Sequence, residues 1–269
     1  MDIALARTIL FVPGHRPDRF GKALATGADA VVIDLEDAVP PAEKPAARAA
    51  VLARPTPPPG VALGVRINML GSALGIADLA ALLGGTPPDF IMVPKVESAA
   101  ELRIVHRALG GASRLIPQIE TAEGLAEAGA IAREEGCAAL AFGGADLAAD
   151  LGCALAWEPM LAHRAALVAA AARGRVALFD VPYLALDDEA GLIEETRRVQ
   201  ALGYTGKLAI HPRQVGPIQG VFTPPPEQVD WARRVIAAIE AAAGGVCVVD
   251  GRMVDAPVAQ AARRVLARG

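Results

Sequence analysis

Aromatic residues are scarce in this chain of 269, at 4% against 53% hydrophobic residues in all. A core must therefore be assembled from Ala, Val, Leu and Ile, which suits close packing of helices on strands. Cysteine is rarer still. Cys137, Cys153 and Cys247 are odd in number and share no metal-type spacing, which argues against a disulfide framework and for reduced cytosolic thiols. No histidines stand at ligand spacing: His106 and His163 fall in helical patterns, and His211 before Pro212 reads as a structural hydrogen-bonding residue. Ser72, Ser98 and Ser113 lack the context of a nucleophile elbow. Long apolar runs are missing too, because charges, Gly or Pro interrupt each one before membrane-spanning length, and Met1-Asp2-Ile3 with Arg7 does not resemble a signal peptide. A soluble cytoplasmic protein is the expectation. A net charge of −4 argues against a general nucleic-acid binder, so any anion site has to be a local basic cluster.

What the chain has instead is alternation. Short β-type runs at Thr8–Val12, Ala30–Leu35, Ala62–Ile67, Phe90–Val93, Leu115–Ile119, Ala138–Phe142, Val176–Phe179 and Lys207–Ile210 are separated by amphipathic segments. Eight such units predict an α/β fold of the (β/α)8 or TIM-barrel type, which runs to roughly 250 residues. A doubly wound sheet is the rival, but no G-x-G-x-x-G follows the first strand. Arg54–Gly60 is a proline-stiffened spacer, and the break at Phe222-Thr223-Pro224-Pro225-Pro226 is expected to end the barrel. That divides the chain into a catalytic domain, 1–222, and a C-terminal extension, 223–269. The extension reads as helix–hairpin–helix: a helix over Glu227–Ala243, a strand over Val246–Val249, a tight Asp250-Gly251 turn and a last helix over Val258–Arg268.

In a barrel of this kind chemistry gathers where strands end. The fifth candidate strand ends in Glu120, and the sixth runs into Gly143-Gly144-Ala145-Asp146, with a helix expected between them over Ala122–Glu135. Two carboxylates brought to one point would repel, and one would take up a proton unless a hard divalent cation resolved the conflict. The plainer reading makes Glu120 a helix-capping residue and leaves Asp146 in a solvated turn. Arg66 ends the third strand, where it would either grip a substrate carboxylate or form a structural ion pair. Glu36 and Asp37 follow the second, as partners of metal-bound waters or of Lys44 and Arg48. The first loop carries Arg16, Arg19 and Lys22 beside Gly14, a seat for phosphates or simply solvated charges at a helix start.

Several longer motifs occur in order along nearly the whole chain: L-F-V-P-G-H-R-P-D-R-F-G-K-A, G-A-D-A-V-V-I-D-L-E-D-A-V-P-P-A-E-K, V-R-I-N, V-P-K-V-E, P-Q-I-E-T-A-E-G, F-G-G-A-D-L, G-K-L-A-I-H-P-R-Q and V-D-G-R-M-V-D-A-P. Together they resemble the citrate lyase beta-subunit-like group of the HpcH/HpaI aldolase superfamily. The resemblance implies a TIM barrel binding Mg2+, with Mn2+ as a substitute, through Glu120 and Asp146. It implies a CoA thioester whose phosphates lie near Arg16, Arg19 and Lys22. Arg66 matches the arginine contacting the acid portion of the substrate, which Ala145 and Asp146 would also touch. Asp255 matches an aspartate delivered from a neighbouring subunit's C-terminal segment, which implies a homotrimer or hexamer. The expected activity is a carbon–carbon lyase, cleaving a citryl-, malyl- or citramalyl-CoA-like thioester to acetyl-CoA and a 2-oxo acid, with Arg66, Asp255 and Glu36 as the working residues. A malyl-CoA thioesterase, or a citrate lyase beta subunit acting only on carrier-bound thioesters, are the alternatives.

Overall fold

The computed structural model describes residues 2–268, which divide into two compact units, the first ending at Gln219 and the second beginning at Gly220. In the first, eight parallel strands close into a barrel in sequence order. They are β1 (Thr8–Pro13), β2 (Ala30–Asp34), β3 (Ala62–Arg66), β4 (Phe90–Val93), β5 (Arg114–Ile119), β6 (Ala139–Phe142), β7 (Ala177–Asp180) and β8 (Gly206–Ala209). Every predicted strand is present, displaced by a residue or so at its ends. Helices α1 (Phe20–Leu24), α2 (Lys44–Leu52), α3 (Ala73–Leu83), α4 (Ala99–Ala108), α5 (Ala122–Ile131), α6 (Gly144–Leu151), α7 (Trp157–Gly174) and α8 (Glu189–Leu202) fill the crossovers, and α9 (Val215–Phe222) follows β8. Among the described residues no helix is long and apolar enough to cross a membrane.

The shortage of aromatics is met by placing a few of them inside the barrel. Ile9, Ala30, Val32, Ala62, Met92, Ile116, Ala139, Ala141, Ala177 and Leu208 pack there around the rings of Phe90 and Phe179. A Cβ on Gly64 would overlap the Phe90 ring, and one on Gly206 would overlap Phe179. Glycine on one strand thus makes room for phenylalanine on the next, and the small residues around them fill what remains.

Strand alternation then decides what reaches the mouth. Ala30 and Val32 face the interior, so Asp34 does as well; Ile116 sets the same face for Gln118 and for Glu120 just past β5. The β2–β3 register places Asp34 opposite Arg66.

Two elements differ from expectation. The helix expected to reach Glu135 ends at Ile131, because the N–H groups of Arg133 and Glu134 reach back three residues, to the carbonyls of Ala130 and Ile131, and tighten the last turn before Gly136 at φ +83°. The strand β6 does not run into a turn holding Asp146. Gly143-Gly144 opens α6 directly and Asp146 sits in its first turn, since Ala145, Leu147, Ala148, Ala149 and Leu151 are good helix formers, Asp146 suits an N-terminal turn, and Gly152 at φ +67° closes the helix.

In the second unit, α10 (Pro226–Ala241) precedes an antiparallel hairpin of β9 (Cys247–Val249) and β10 (Arg252–Val254), then α11 (Ala256–Leu266). Asp250 at φ +50° and Gly251 at φ +76° form the expected Asp-Gly turn. Ala232, Val235, Ile239, Val249, Val254, Ala259 and Ala262 make this unit's own core.

Candidate active site

Four acids and two cations meet at the ends of β2 to β6. Arg66 is held by Asp34 through a paired contact, Nε to Oδ1 at 2.7 Å and Nη2 to Oδ2 at 2.6 Å. Its remaining Nη1 faces Glu36 Oε2 at 3.0 Å and Gln118 Oε1 at 3.4 Å, and its guanidinium lies 4.9 Å from the centre of the Phe11 ring. Burial opposes the charge on Arg66, but the hydrogen bonds to Asp34 and the charges of Asp34, Glu36 and Asp37 more than offset it, so its pKa is raised and the cation is permanent. Of the two readings open for Arg66, the ion pair is present. It is made with Asp34, and it leaves one nitrogen directed at the other acids.

Glu36 stands on a loop fixed from below. Lys44, buried, donates to the carbonyl oxygens of Leu35 and Glu36, both at 2.8 Å, and to Asn68 Oδ1 at 2.7 Å. It grips the Glu36 backbone rather than its carboxylate, while Arg48 pairs with Asp78 at 2.7 Å. Neither pairing offered for Glu36 and Asp37 is therefore formed. The Glu36 carboxylate contacts Arg66 and Lys95 instead. The approach to Arg66 lacks hydrogen-bond alignment, which leaves Oε2 buried without a donor. Burial raises the Glu36 pKa in spite of both cations.

Glu120 is 2% exposed. It does not cap α5, a task taken by Thr121, whose hydroxyl accepts from Gly124 N at 3.0 Å. Its Oε1 accepts from the Lys95 N–H at 2.7 Å. Behind it Gly143 is obligatory, because a Cβ there would overlap the Glu120 carboxylate. Burial, then the charges of Glu36 and Asp146, push its pKa up to about 8 against the pull of the Lys95 N–H and Arg66. Measured from the ordinary 4.5, that is on the order of 5 kcal/mol against ionisation at this position. The conflict expected of Glu120 and Asp146 thus exists, and Glu36 adds to it.

Lys95 links the acids. Its Nζ donates to Glu36 Oε1 at 2.9 Å and lies 4.0 Å from Asp146 Oδ1. Burial works against its charge, but the hydrogen bond to Glu36 and the fields of Glu36, Glu120 and Asp146 raise its pKa. The sequence put Lys95 at a strand end without giving it a role, and it gave none to Asp34, Gln118 or Gly143. Asp34 was legible in principle, two residues beyond an interior valine on the face that Arg66 also occupies.

A divalent cation fits this arrangement. The buried acids repel one another, Glu36 has an orphaned oxygen, and Asp146 is 44% exposed and so open to solvent. Among the described residues no group of three or more His, Cys, Asp or Glu forms a metal cage. An ion held by two carboxylates would keep its other positions for water and substrate oxygens, a manner of binding that suits Mg2+.

The first loop is less prepared than its charges suggest. Arg16 is paired with Asp18 through two 2.9 Å contacts, and both side chains are exposed. Arg19 and Lys22 are exposed. Gly14 serves packing, since a Cβ there would come within 2.7 Å of the Asp34 carbonyl oxygen. His211 bears the structural role expected of it, accepting at Nδ1 from Arg213 N at 3.2 Å. Ala145 lies exposed in the first turn of α6. Asp255, in the second unit, caps α11 by accepting from Val258 N at 3.2 Å.

Residues 7–212 match the family model described as HpcH/HpaI aldolase/citrate lyase. A citrate lyase subunit beta-like protein of Mycobacterium tuberculosis is 39% identical over 268 residues, covering 96% of this chain and 94% of that protein. A (3S)-malyl-CoA thioesterase of Cereibacter sphaeroides is 37% identical, over 97% of this chain and 94% of the relative. The human mitochondrial citramalyl-CoA lyase is 32% identical, over 97% and 84%. The crystal structure of CitE from M. tuberculosis in complex with magnesium, acetoacetate and coenzyme A superposes with a TM-score of 0.82 at 35% identity, covering 99% of each chain. Fold, strand-end acids and these likenesses agree: the chain belongs to the HpcH/HpaI aldolase/citrate lyase family, as a lyase of its citrate lyase beta-like group.

Proposed function

We propose that the protein is a Mg2+-dependent lyase that cleaves a hydroxy-carboxyacyl-CoA of the citryl, malyl or citramalyl type, reversibly, to acetyl-CoA and a 2-oxo acid. The observation that carries this reading is the buried Glu120, its pKa pushed to about 8 beside Glu36 and Asp146, because such a group invites a cation. The magnesium, acetoacetate and coenzyme A named for the M. tuberculosis CitE complex support it by analogy. Bound by Glu120 and Asp146, Mg2+ would supply Lewis-acid stabilisation to the hydroxyl and carboxylate oxygens of the acid portion.

The chain's own residues do the rest. Arg66, locked by Asp34, presents Nη1 to balance charge on that acid portion, next to Ala145 and Asp146. Glu36 would orient water beside a cation held there. As the carbon–carbon bond breaks, the substrate hydroxyl becomes the carbonyl of the 2-oxo acid and gives its proton to solvent, and the bonding pair is left as an enolate on the thioester; Asp255, brought by a neighbouring subunit's extension (223–269), protonates its carbon or removes that proton in the condensing direction. Arg16, Arg19 and Lys22 take the CoA phosphates. This needs a homo-oligomer, and a homotrimer or hexamer is the assembly proposed.

The 37% identity to a malyl-CoA thioesterase favours one second reading, in which water attacks the thioester at the same site. A panel of citryl-, malyl- and citramalyl-CoA with Mg2+, followed in parallel for 2-oxo acid and for free thiol, separates the two. Matched 2-oxo acid and acetyl-CoA without free thiol is the expected result. Thiol release without any 2-oxo acid would move the assignment to the thioesterase, and inactivity on every free CoA thioester would move it to a subunit serving carrier-bound substrates.

A further inference from the structure

Lys95 reaches the acids by two independent routes, and one of them is strained. Its backbone lies at φ +50°, the left-handed region that lysine rarely enters and that glycine enters freely. That conformation is what turns its N–H toward Glu120 Oε1. The chain is pinned there: Pro94 precedes it, and Val96 after it is fully buried, with its N–H directed at the Gln118 carbonyl at 3.4 Å. The side chain then returns across the mouth to Glu36 and Asp146. If only the backbone shape mattered, glycine would serve at lower cost. What lysine adds is an ammonium among three acids.

We propose that Lys95 is a positioning residue with two separable arms. Its N–H fixes the direction of the Glu120 carboxylate, and its ammonium holds Glu36 and Asp146 in place by supplying part of the positive charge that the metal ion also supplies. This rests on Glu120 and Asp146 being the metal ligands. Two cations that share the same acids oppose each other, so the ammonium weakens metal binding while it keeps the acids aligned for substrate. Metal affinity and turnover must therefore move in opposite directions when the charge is removed. A lysine that merely supported the fold would lower both.

The test is Mg2+ titration calorimetry on the whole protein, native, K95G and K95V, with kcat, KM and thermal midpoints of each. K95G keeps the positive φ and the N–H while losing the ammonium. Its Mg2+ dissociation constant is expected to fall about tenfold, its kcat at least a hundredfold with little change in KM, and its thermal midpoint at saturating Mg2+ to stay at or above native. K95V also lacks the charge but resists φ +50° because it is β-branched, and is expected to bind Mg2+ at least tenfold more weakly than K95G. Equal or weaker Mg2+ binding by K95G than by the native protein would overturn the ammonium arm. Equal Mg2+ binding by K95V and K95G would overturn the backbone arm; if K95V does not fold, K95A takes its place, because its Cβ still disfavours φ +50°, and Mg2+ binding by K95A equal to that by K95G would overturn the same arm. Absence of Mg2+ binding by the native protein is a separate result, which removes the metal reading and this proposal with it.

Discussion

Asp34 holds Arg66 by both carboxylate oxygens, at 2.7 and 2.6 Å, across neighbouring strands of the barrel mouth. The same carboxylate accepts from the N–H groups of Glu36 at 2.9 Å and Ala38 at 3.2 Å, so one side chain sets both the arginine and the loop bearing Glu36. Asp34→Asn keeps the shape but turns an amide donor toward the guanidinium. Breaking a buried ion pair from one side costs about 3–5 kcal/mol, which lowers the thermal midpoint. Turnover should suffer as well, because the paired contact with Asp34 fixes the plane of the Arg66 guanidinium and so the direction of Nη1. A fall in kcat/KM of about a hundredfold or more is expected, read from initial rates at saturating Mg2+.

Glu120 predicts a pH dependence that the metal opposes. Its carboxyl is raised from 4.5 to about 8 in the folded chain, so the stability it contributes is complete below pH 4.5 and is lost as pH rises through about 8. Glu120→Gln imitates the neutral carboxyl. The difference in thermal midpoint between native and variant, without divalent ions, should therefore grow in favour of the variant from pH 4.5 to 8. Mg2+ at a hundredfold excess over its dissociation constant should narrow that difference by stabilising the native protein alone, by about 2.7 kcal/mol. A native protein whose midpoint runs parallel to that of the variant across this range would contradict the account.

How much of this was readable in the residues follows from what each depends on. All eight strands were legible because apolar β-type runs bounded by charges or glycine report directly on burial, and the Asp250-Gly251 turn because its backbone demands those residue types. Glu120 and Arg66 were legible because each stands where such a run stops. Lys95 was not, since nothing in a lysine announces a left-handed backbone. Asp34 was legible as an interior-facing residue, but its pairing with Arg66 depends on register, which sets the two side by side only once β2 and β3 pair. The first turn of α6 was missed because Gly143-Gly144 reads as a break; those glycines are there to clear Glu120 and the Phe142 ring.

Gly143→Ala tests that last point. The new Cβ would overlap the Glu120 side chain, which is walled in by the barrel and cannot yield without leaving the Lys95 N–H. Overpacking of this kind costs about 1–3 kcal/mol. The informative effect is on metal: Mg2+ should stabilise the variant far less than the native protein in a thermal shift assay, although position 143 contributes no ligand. A variant with a full Mg2+ response would show that Glu120 can relocate.

Asp255 belongs to the small second unit, where its side chain caps α11 through Val258 N. If that residue completes the site of a neighbouring subunit, then Asp255→Asn and Glu120→Gln remove different halves of one site, and each variant alone should be inactive. Mixed and reassembled in equal amounts, they form some sites with an intact barrel from one chain and an intact extension from the next. Random assembly of a closed ring gives roughly a quarter of native activity by this route. Were Asp255 to serve its own barrel, every site in the mixture would lack one half and no activity would return. The same measurement separates a capping role from a chemical one, because Asp255→Ser retains an N-capping oxygen. It should hold the thermal midpoint of the native protein without restoring turnover.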